Sequence, residues 1–203
     1  MSKYTSIVKQ AFLESINIKN QIINDENELI RIIKIATIVK DAIKNNGKLL
    51  LCGNGGSAAD AQHLATELLV RFRSNINRQS IPAISLAMDT SMLTATSNDY
   101  SFEEVFTRPL SGLGRAGDVL LGITTSGQSA NVLAAFKLAK RMKIVTVGLL
   151  GNNGGIATEL CDYSFIVPSN ITARIQEIHI IIGHIIMELI EEMLINEGFI
   201  SNI

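Results

Sequence analysis

Residues 49–72, LLLCGNGGSAADAQHLATELLVRF, constrain this chain more than any other stretch. Residues 49–52 form a short apolar run without helical period, as expected of a strand buried on both faces. Gly53-Asn54-Gly55-Gly56 then breaks the backbone where glycine alone is relaxed at positive φ. Ser57 is a good N-cap, and residues 58–72 read as a helix. A strand, a glycine turn and a helix N-terminus together form a cradle for an anion, commonly a phosphate. One turn into that helix stands His63, and four residues later Glu67. That spacing places an imidazole and a carboxylate on one helix face. An anion cradle and an acid–base or metal-ligand pair therefore share one element.

The remaining chain repeats the strand–helix theme. Apolar runs at residues 82–86, 118–123, 144–149 and 163–167 read as four further strands. Helical patterns fall at residues 90–97, 102–110, 130–142 and 172–196, with a short helix after the glycine-rich turn at 151–155. Asn98-Asp99-Tyr100-Ser101 reads as a polar connection. Two amphipathic helices, at residues 6–20 and 29–43, precede the first strand, broken at Asn24-Asp25 and stopped at Asn45-Asn46-Gly47. Strands alternating with helices imply right-handed crossovers and a five-stranded parallel sheet covered on both faces, an α/β three-layer α-β-α sandwich. The 203 residues suffice for one such domain, with a helical extension over about residues 1–46.

Composition narrows the function. With 18 Lys+Arg against 19 Asp+Glu and a formal net charge of −1, nucleic acid is not expected as the main ligand. The two cysteines, Cys52 and Cys161, lack a CxxC partner and read as reduced core thiols. The first residues carry no apolar core of a secretion signal, and the uncharged apolar run at 178–187 is too short to span a bilayer. A cytoplasmic protein without membrane contact is the expectation. A mean hydropathy of +0.27 with only 18% charged residues leaves surplus apolar surface, most simply buried between subunits.

A second anion cradle is written in Thr124-Thr125-Ser126-Gly127-Gln128-Ser129, between a strand and a helix. Its amides would point outward with the positive helix end behind them and several hydroxyls around the anion. The alternative is an ordinary Ser/Thr-rich turn with Ser129 as cap. Both cradles would lie at the carboxyl edge of the sheet, where open α/β folds bind ligands. His63 and Glu67 sit at the edge of the buried stripe Ala61, Leu64, Ala65 and Leu68, which suits a cleft as well as a surface. In the last helix Gln176, Glu177, His179 and His184 interrupt a sequence apolar all round. Such groups need partners, either in a core network fixing subunit register or in a site. Gly53-x-Gly55-x-x-Ala58 loosely fits a dinucleotide fingerprint, but Asp89 lies well beyond the usual spacing of roughly 20 residues. No P-loop motif occurs, so no nucleotide cofactor is expected.

Four segments together resemble the sugar isomerase (SIS) domain family: GNGGS at 53–57, QHLATELLVRF at 62–72, GDVLLGITTSGQSANV at 117–132 and ARIQEIHIIIGH at 173–184. Within it the chain is most similar to the branch that isomerises sedoheptulose 7-phosphate. The resemblance implies a flavodoxin-like sheet and a homotetramer with active sites between subunits. It implies conversion of that ketose to D-glycero-D-manno-heptose 7-phosphate, feeding nucleotide-activated heptose for lipopolysaccharide or other surface glycans. By the same resemblance Glu67 is the general base and His184 its partner acid. The resemblance makes Ser57, Thr124, Ser126 and Ser129 the phosphate binders, with Asn54, Gly55, Gly56, Arg71, Asn98, Asp99, Thr125 and Gln176 as further substrate contacts. His63, Glu67, Gln176 and His184 match the zinc ligands of some members. A competing branch of the family is non-catalytic and binds the DNA replication initiator. It lacks the residues equivalent to Glu67 and His184, so the presence of both favours the enzyme.

Overall fold

The computed structural model describes residues 2–201. Two helices open the chain, α1 (Lys3–Ile23) and α2 (Glu26–Lys44), hinged at Asn24-Asp25. Asp25 caps α2 by accepting the Asn27 N–H at 3.0 Å, and Glu26 and Glu28 complement the positive helix end. Both helices begin three residues earlier than their apolar period indicates, because their first turns are exposed and polar and leave no hydrophobic signal.

Five strands follow with their crossovers: β1 (Leu49–Gly53), α3 (Gly56–Leu69), β2 (Ala83–Ser85), α4 (Thr90–Asp99), a 3-10 turn (Phe102–Glu104), α5 (Thr107–Leu113), β3 (Val119–Thr124), α6 (Ala130–Arg141), β4 (Val145–Leu150), α7 (Ala157–Leu160), β5 (Tyr163–Ile166) and α8 (Thr172–Asn196). All strand pairs are parallel, in the order β2-β1-β3-β4-β5. Alternate residues of each strand serve opposite cores. Leu49, Leu51, Leu121 and Ile123 pack under α2, α3 and α8, whereas Leu50, Cys52 and Leu120 meet Phe106, Leu110, Val132 and Phe136. The expected α/β sandwich with a flavodoxin-like order is thus observed. Among the described residues no helix is long and apolar enough to cross a membrane.

Because the chain leaves β1 toward β2 and leaves β3 toward β4, the strand order reverses between β1 and β3. The crevice outside their carboxyl ends is the ligand-binding position of this topology. The glycine turn after β1 and the hydroxyl loop after β3 both border it.

Three local expectations are corrected. Ser57 does not cap α3: the cap position is Gly55, at φ +56° and without a side-chain hydrogen bond, and Ser57 is buried in the first turn. The helix also stops at Leu69 rather than Phe72, because the returning chain takes its last carbonyls. Arg78 donates to Glu67 O at 2.9 Å and Leu68 O at 2.8 Å, and Ser80 Oγ donates to Leu69 O at 2.7 Å. Asn98 and Asp99 end α4 instead of forming a connection, and the stretch 102–110 divides into the 3-10 turn and α5.

Helices α3 and α8 run side by side in one direction. Gln176 lies against Gly56, Leu64 against Gly183, His184 against His63 and Glu191 against Phe72 and Arg73. This alignment carries the candidate site.

Candidate active site

The two cradles are one structure. Asn54 in the first donates its amide to Asn131 Oδ1, and Asn131, near the start of α6, donates back to Asn54 Oδ1, both at 2.8 Å. This reciprocal amide pair joins the loops after β1 and β3 and occupies much of the Asn54 side chain. In the second loop Thr124 Oγ1 and Ser129 Oγ are 3.0 Å apart, and Ser126 Oγ accepts the Gln128 N–H. The loop after β4 supports it from behind: Asn152 Nδ2 donates to Thr125 O and the Ala157 N–H donates to Gly127 O. The N-termini of α3 and α6 both open on this polar rim, which is the electrostatics an anionic group requires.

Farther along α3 the second expected group assembles. His63 Nε2 is 2.8 Å from His184 Nε2 and 3.2 Å from Glu67 Oε1, and one nitrogen donor atom from each histidine and one carboxylate oxygen lie within 4.8 Å of one another. The His63 side chain is half exposed, while that of Glu67 is about four-fifths covered. The cluster is therefore partly open to solvent. The two imidazole nitrogens are hydrogen-bonded to each other beside the carboxylate, which brings three potential ligand atoms together. That donor set, two imidazoles and a carboxylate, is of the type that holds a divalent ion such as zinc. Phe72 packs its ring on His184, with centroids 5.9 Å apart.

The structure brings Glu67, His63 and His184 together, and Gln176 stands two turns away on α8 beside Gly56: a Cβ there would come within 2.6 Å of its Nε2. Gln176 thus lies between the cradle and the His/Glu group. Arg71, Asn98 and Asp99 are exposed, and the Asn98 amide donates to Asp99. Among the described residues none of the three is hydrogen-bonded to the cluster.

Sequence reasoning missed Asn131, Phe72 and Asp60. Asp60 is three residues before His63, and its Oδ2 is buried without a hydrogen-bond partner. Burial pushes this carboxyl upward, opposed in part by His63 and His184. Its spacing of three from His63 was the available signal. His179, on the buried face of α8, donates from Nε2 to Leu150 O at 3.0 Å. Burial lowers its pKa to about 4, against the opposing backbone hydrogen bond, so it is neutral and ties β4 to α8.

A flavodoxin-ordered sheet with a double anion cradle at its switch point and a His/Glu group beside it defines a protein that handles phosphorylated small molecules. Comparison with known proteins gives the family. The SIS domain model matches residues 12–151. Phosphoheptose isomerase 2 of Campylobacter jejuni is 50% identical over 200 residues, covering 98% of each chain. Among solved structures, phosphoheptose isomerase GmhA from Neisseria gonorrhoeae superposes with a TM-score of 0.85 at 40% identity, over 94% of this chain and all of that one. A phosphoheptose isomerase from Francisella tularensis gives 0.88 at 34% identity, with the same coverage. The chain belongs to the SIS domain family.

Proposed function

We propose that this protein is the isomerase that converts sedoheptulose 7-phosphate to D-glycero-D-manno-heptose 7-phosphate. The observation that carries this reading is the convergence of Glu67, His63 and His184 on the helix whose N-terminus lines the anion cradle. The name shared by a relative at 50% identity over 98% of this chain and a solved structure at 40% over 94% supports it. The same cluster favours the enzyme over the initiator-binding branch.

In this reading the 7-phosphate rests on the N-termini of α3 and α6, among Ser57, Thr124, Ser126 and Ser129, with the amides of Gly55 and Gly56. Thr125, Gln176, Arg71, Asn98 and Asp99 contact the rest of the substrate. Anchoring the phosphate contributes binding energy that orients C1 and C2. Glu67 removes the proton from C1, giving an enediol, and returns it at C2. His184 serves the oxygens, so that the hydroxyl proton passes from O1 to O2 and no atom is gained or lost. His63, Glu67, Gln176 and His184 would hold a zinc ion, which when bound supplies Lewis acidity for polarising the carbonyl oxygen.

The active assembly in this proposal is a cytoplasmic homotetramer with sites between subunits. Exposed Ile7, Val8, Phe12 and Ile16 on α1, Ile30 and Ile33 on α2 and Ile185 on α8 support it, since such surface needs a neighbour. The product would supply nucleotide-activated heptose for a surface glycan such as lipopolysaccharide.

The test is turnover of sedoheptulose 7-phosphate in D2O. An aldose product carrying deuterium at C2 is expected from an enediol exchanging with solvent. No turnover by the folded protein would overturn the assignment.

A further inference from the structure

Behind the His/Glu group lies a buried charge cluster that the chemistry above does not use. Glu191 of α8 is fully buried. Its Oε1 accepts from Arg78 Nε at 2.6 Å and from the Phe72 N–H at 3.3 Å, and its Oε2 accepts from Arg73 Nε at 2.9 Å. Arg73 also pairs with Glu192 at 2.6 Å, so two carboxylates balance two guanidiniums. Burial alone would push the Glu191 carboxyl up, but Arg73 and Arg78 hold it below the usual range, and it is ionised.

The cluster grips the last turn of the functional helix and the segment just beyond it. Arg78, through its guanidinium fork, holds the carbonyls of Glu67 and Leu68, and the first of these belongs to the residue that carries the carboxylate. Glu191 holds the N–H of Phe72, whose ring packs on His184. Arg71 lies between these points. A carboxylate desolvated at such cost is weak ground for stability in itself, since apolar replacements of buried ion pairs are often at least as stable. Its geometry here is directed: its hydrogen bonds from Phe72, Arg73 and Arg78 pin the segment that leaves α3 onto α8.

We infer that Glu191, Arg73 and Arg78 are positioning residues for the isomerisation: together they lock the joint after α3, so that Glu67 and His184 keep their mutual geometry. This rests on the isomerase reading. The phosphate cradle lies at the other end of α3 and is independent of the cluster.

The experiment compares Glu191→Gln with wild type for kcat, KM, thermal midpoint and competitive inhibition by inorganic phosphate. Glutamine keeps the shape but turns an N–H2 toward a guanidinium. The expected result is a kcat lower by about 10-fold to 100-fold, as for small misplacements of reacting groups, with inhibition by phosphate within twofold of wild type. If Glu191→Gln does not fold, Arg78→Lys decides by the same measure, because it keeps the charge and gives up the fork to the Glu67 and Leu68 carbonyls. If that variant also fails, Arg73→Lys decides by the same measure, at a partly exposed member of the cluster where the charge is kept and the bond to Glu191 is weakened. A folded variant with wild-type kcat and only a lowered thermal midpoint would reduce the cluster to a structural role and overturn the inference. A loss shared by KM and phosphate inhibition would do the same. An inactive wild type would instead overturn the isomerase reading, which keeps the two failures separate.

Discussion

Leu64 of α3 occupies the space that Gly183 of α8 leaves open: a Cβ at Gly183 would come within 2.5 Å of Leu64 Cδ1. His63 and His184 are the sequence neighbours of Leu64 and Gly183, on α3 and α8 respectively. The absence of one side chain therefore sets how closely the two helices approach, and with it whether His184 reaches His63. Gly183→Ala should force the helices apart at this point, costing about 1–3 kcal/mol as overpacking does. Turnover should fall further than stability alone explains. Urea melts and kcat on the folded fraction measure the two effects, and unchanged kcat would show that the contact is dispensable for the site.

If Glu67 exchanges the carbon-bound proton and His184 serves the oxygen, Glu67→Gln and His184→Gln should each reduce turnover by about 10²–10⁴-fold or more. Glutamine keeps much of the glutamate shape but takes no proton. Folding and assembly should survive, because both side chains lie at an open cluster and not in the core. Wild-type kcat in Glu67→Gln would remove the base assignment.

The cradle predicts a different signature. Ser126 is exposed, and its hydroxyl accepts the Gln128 N–H at the loop tip. Ser126→Ala should raise KM more than it lowers kcat, since the phosphate is held alike in ground and transition states. Sedoheptulose without its phosphate should react poorly. Equal reaction of the two sugars would contradict phosphate anchoring at this loop.

Three donor atoms within 4.8 Å of one another make a metal prediction that does not depend on turnover. Zinc should bind at about one equivalent per chain in competition with a chromophoric chelator, and His63→Ala should weaken it strongly. Where metal is required, activity should disappear with chelation and return with zinc. Undiminished zinc affinity in His63→Ala would place the ion elsewhere.

His179 links stability to pH. Its pKa is about 4 when folded, against 6.5 for the free group. On acidification the unfolded chain takes this proton first, so the contribution is complete above about pH 6.5 and is lost as pH falls toward 4. At its limit the loss is about 3 kcal/mol, at about 1.36 kcal/mol for each tenfold change in proton affinity. His179→Gln can still donate to Leu150 O and should flatten this part of the profile. Thermal midpoints between pH 7 and 4.5 test it, and parallel profiles for the two proteins would exclude His179 as the source.

Much of this protein was legible without coordinates, and the legible parts share a physical basis. The strand–turn–helix at 49–72, the hydroxyl loop before α6 and the placement of His63 and Glu67 on one face depend on local periodicity and turn chemistry. Those act over a few residues and are written in the order of the chain. Strand–helix alternation determined the parallel sheet for the same reason, because crossover handedness leaves few topologies. What only the tertiary structure decided depends on partners distant in sequence. Ser57 is a sound cap by residue type, yet at Gly55 the backbone takes a positive φ and Ser57 is drawn into the first buried turn. Helix α3 reads as continuing to Phe72, yet Arg78 and Ser80 take its final carbonyls, and no local pattern announces that return. His63 meets His184 across 121 residues, and Asn54 meets Asn131 across 77. The register of two packed helices and the pairing of buried polar groups are fixed by long-range shape and by the cost of leaving such groups unpaired, neither of which is a property of any short stretch of chain.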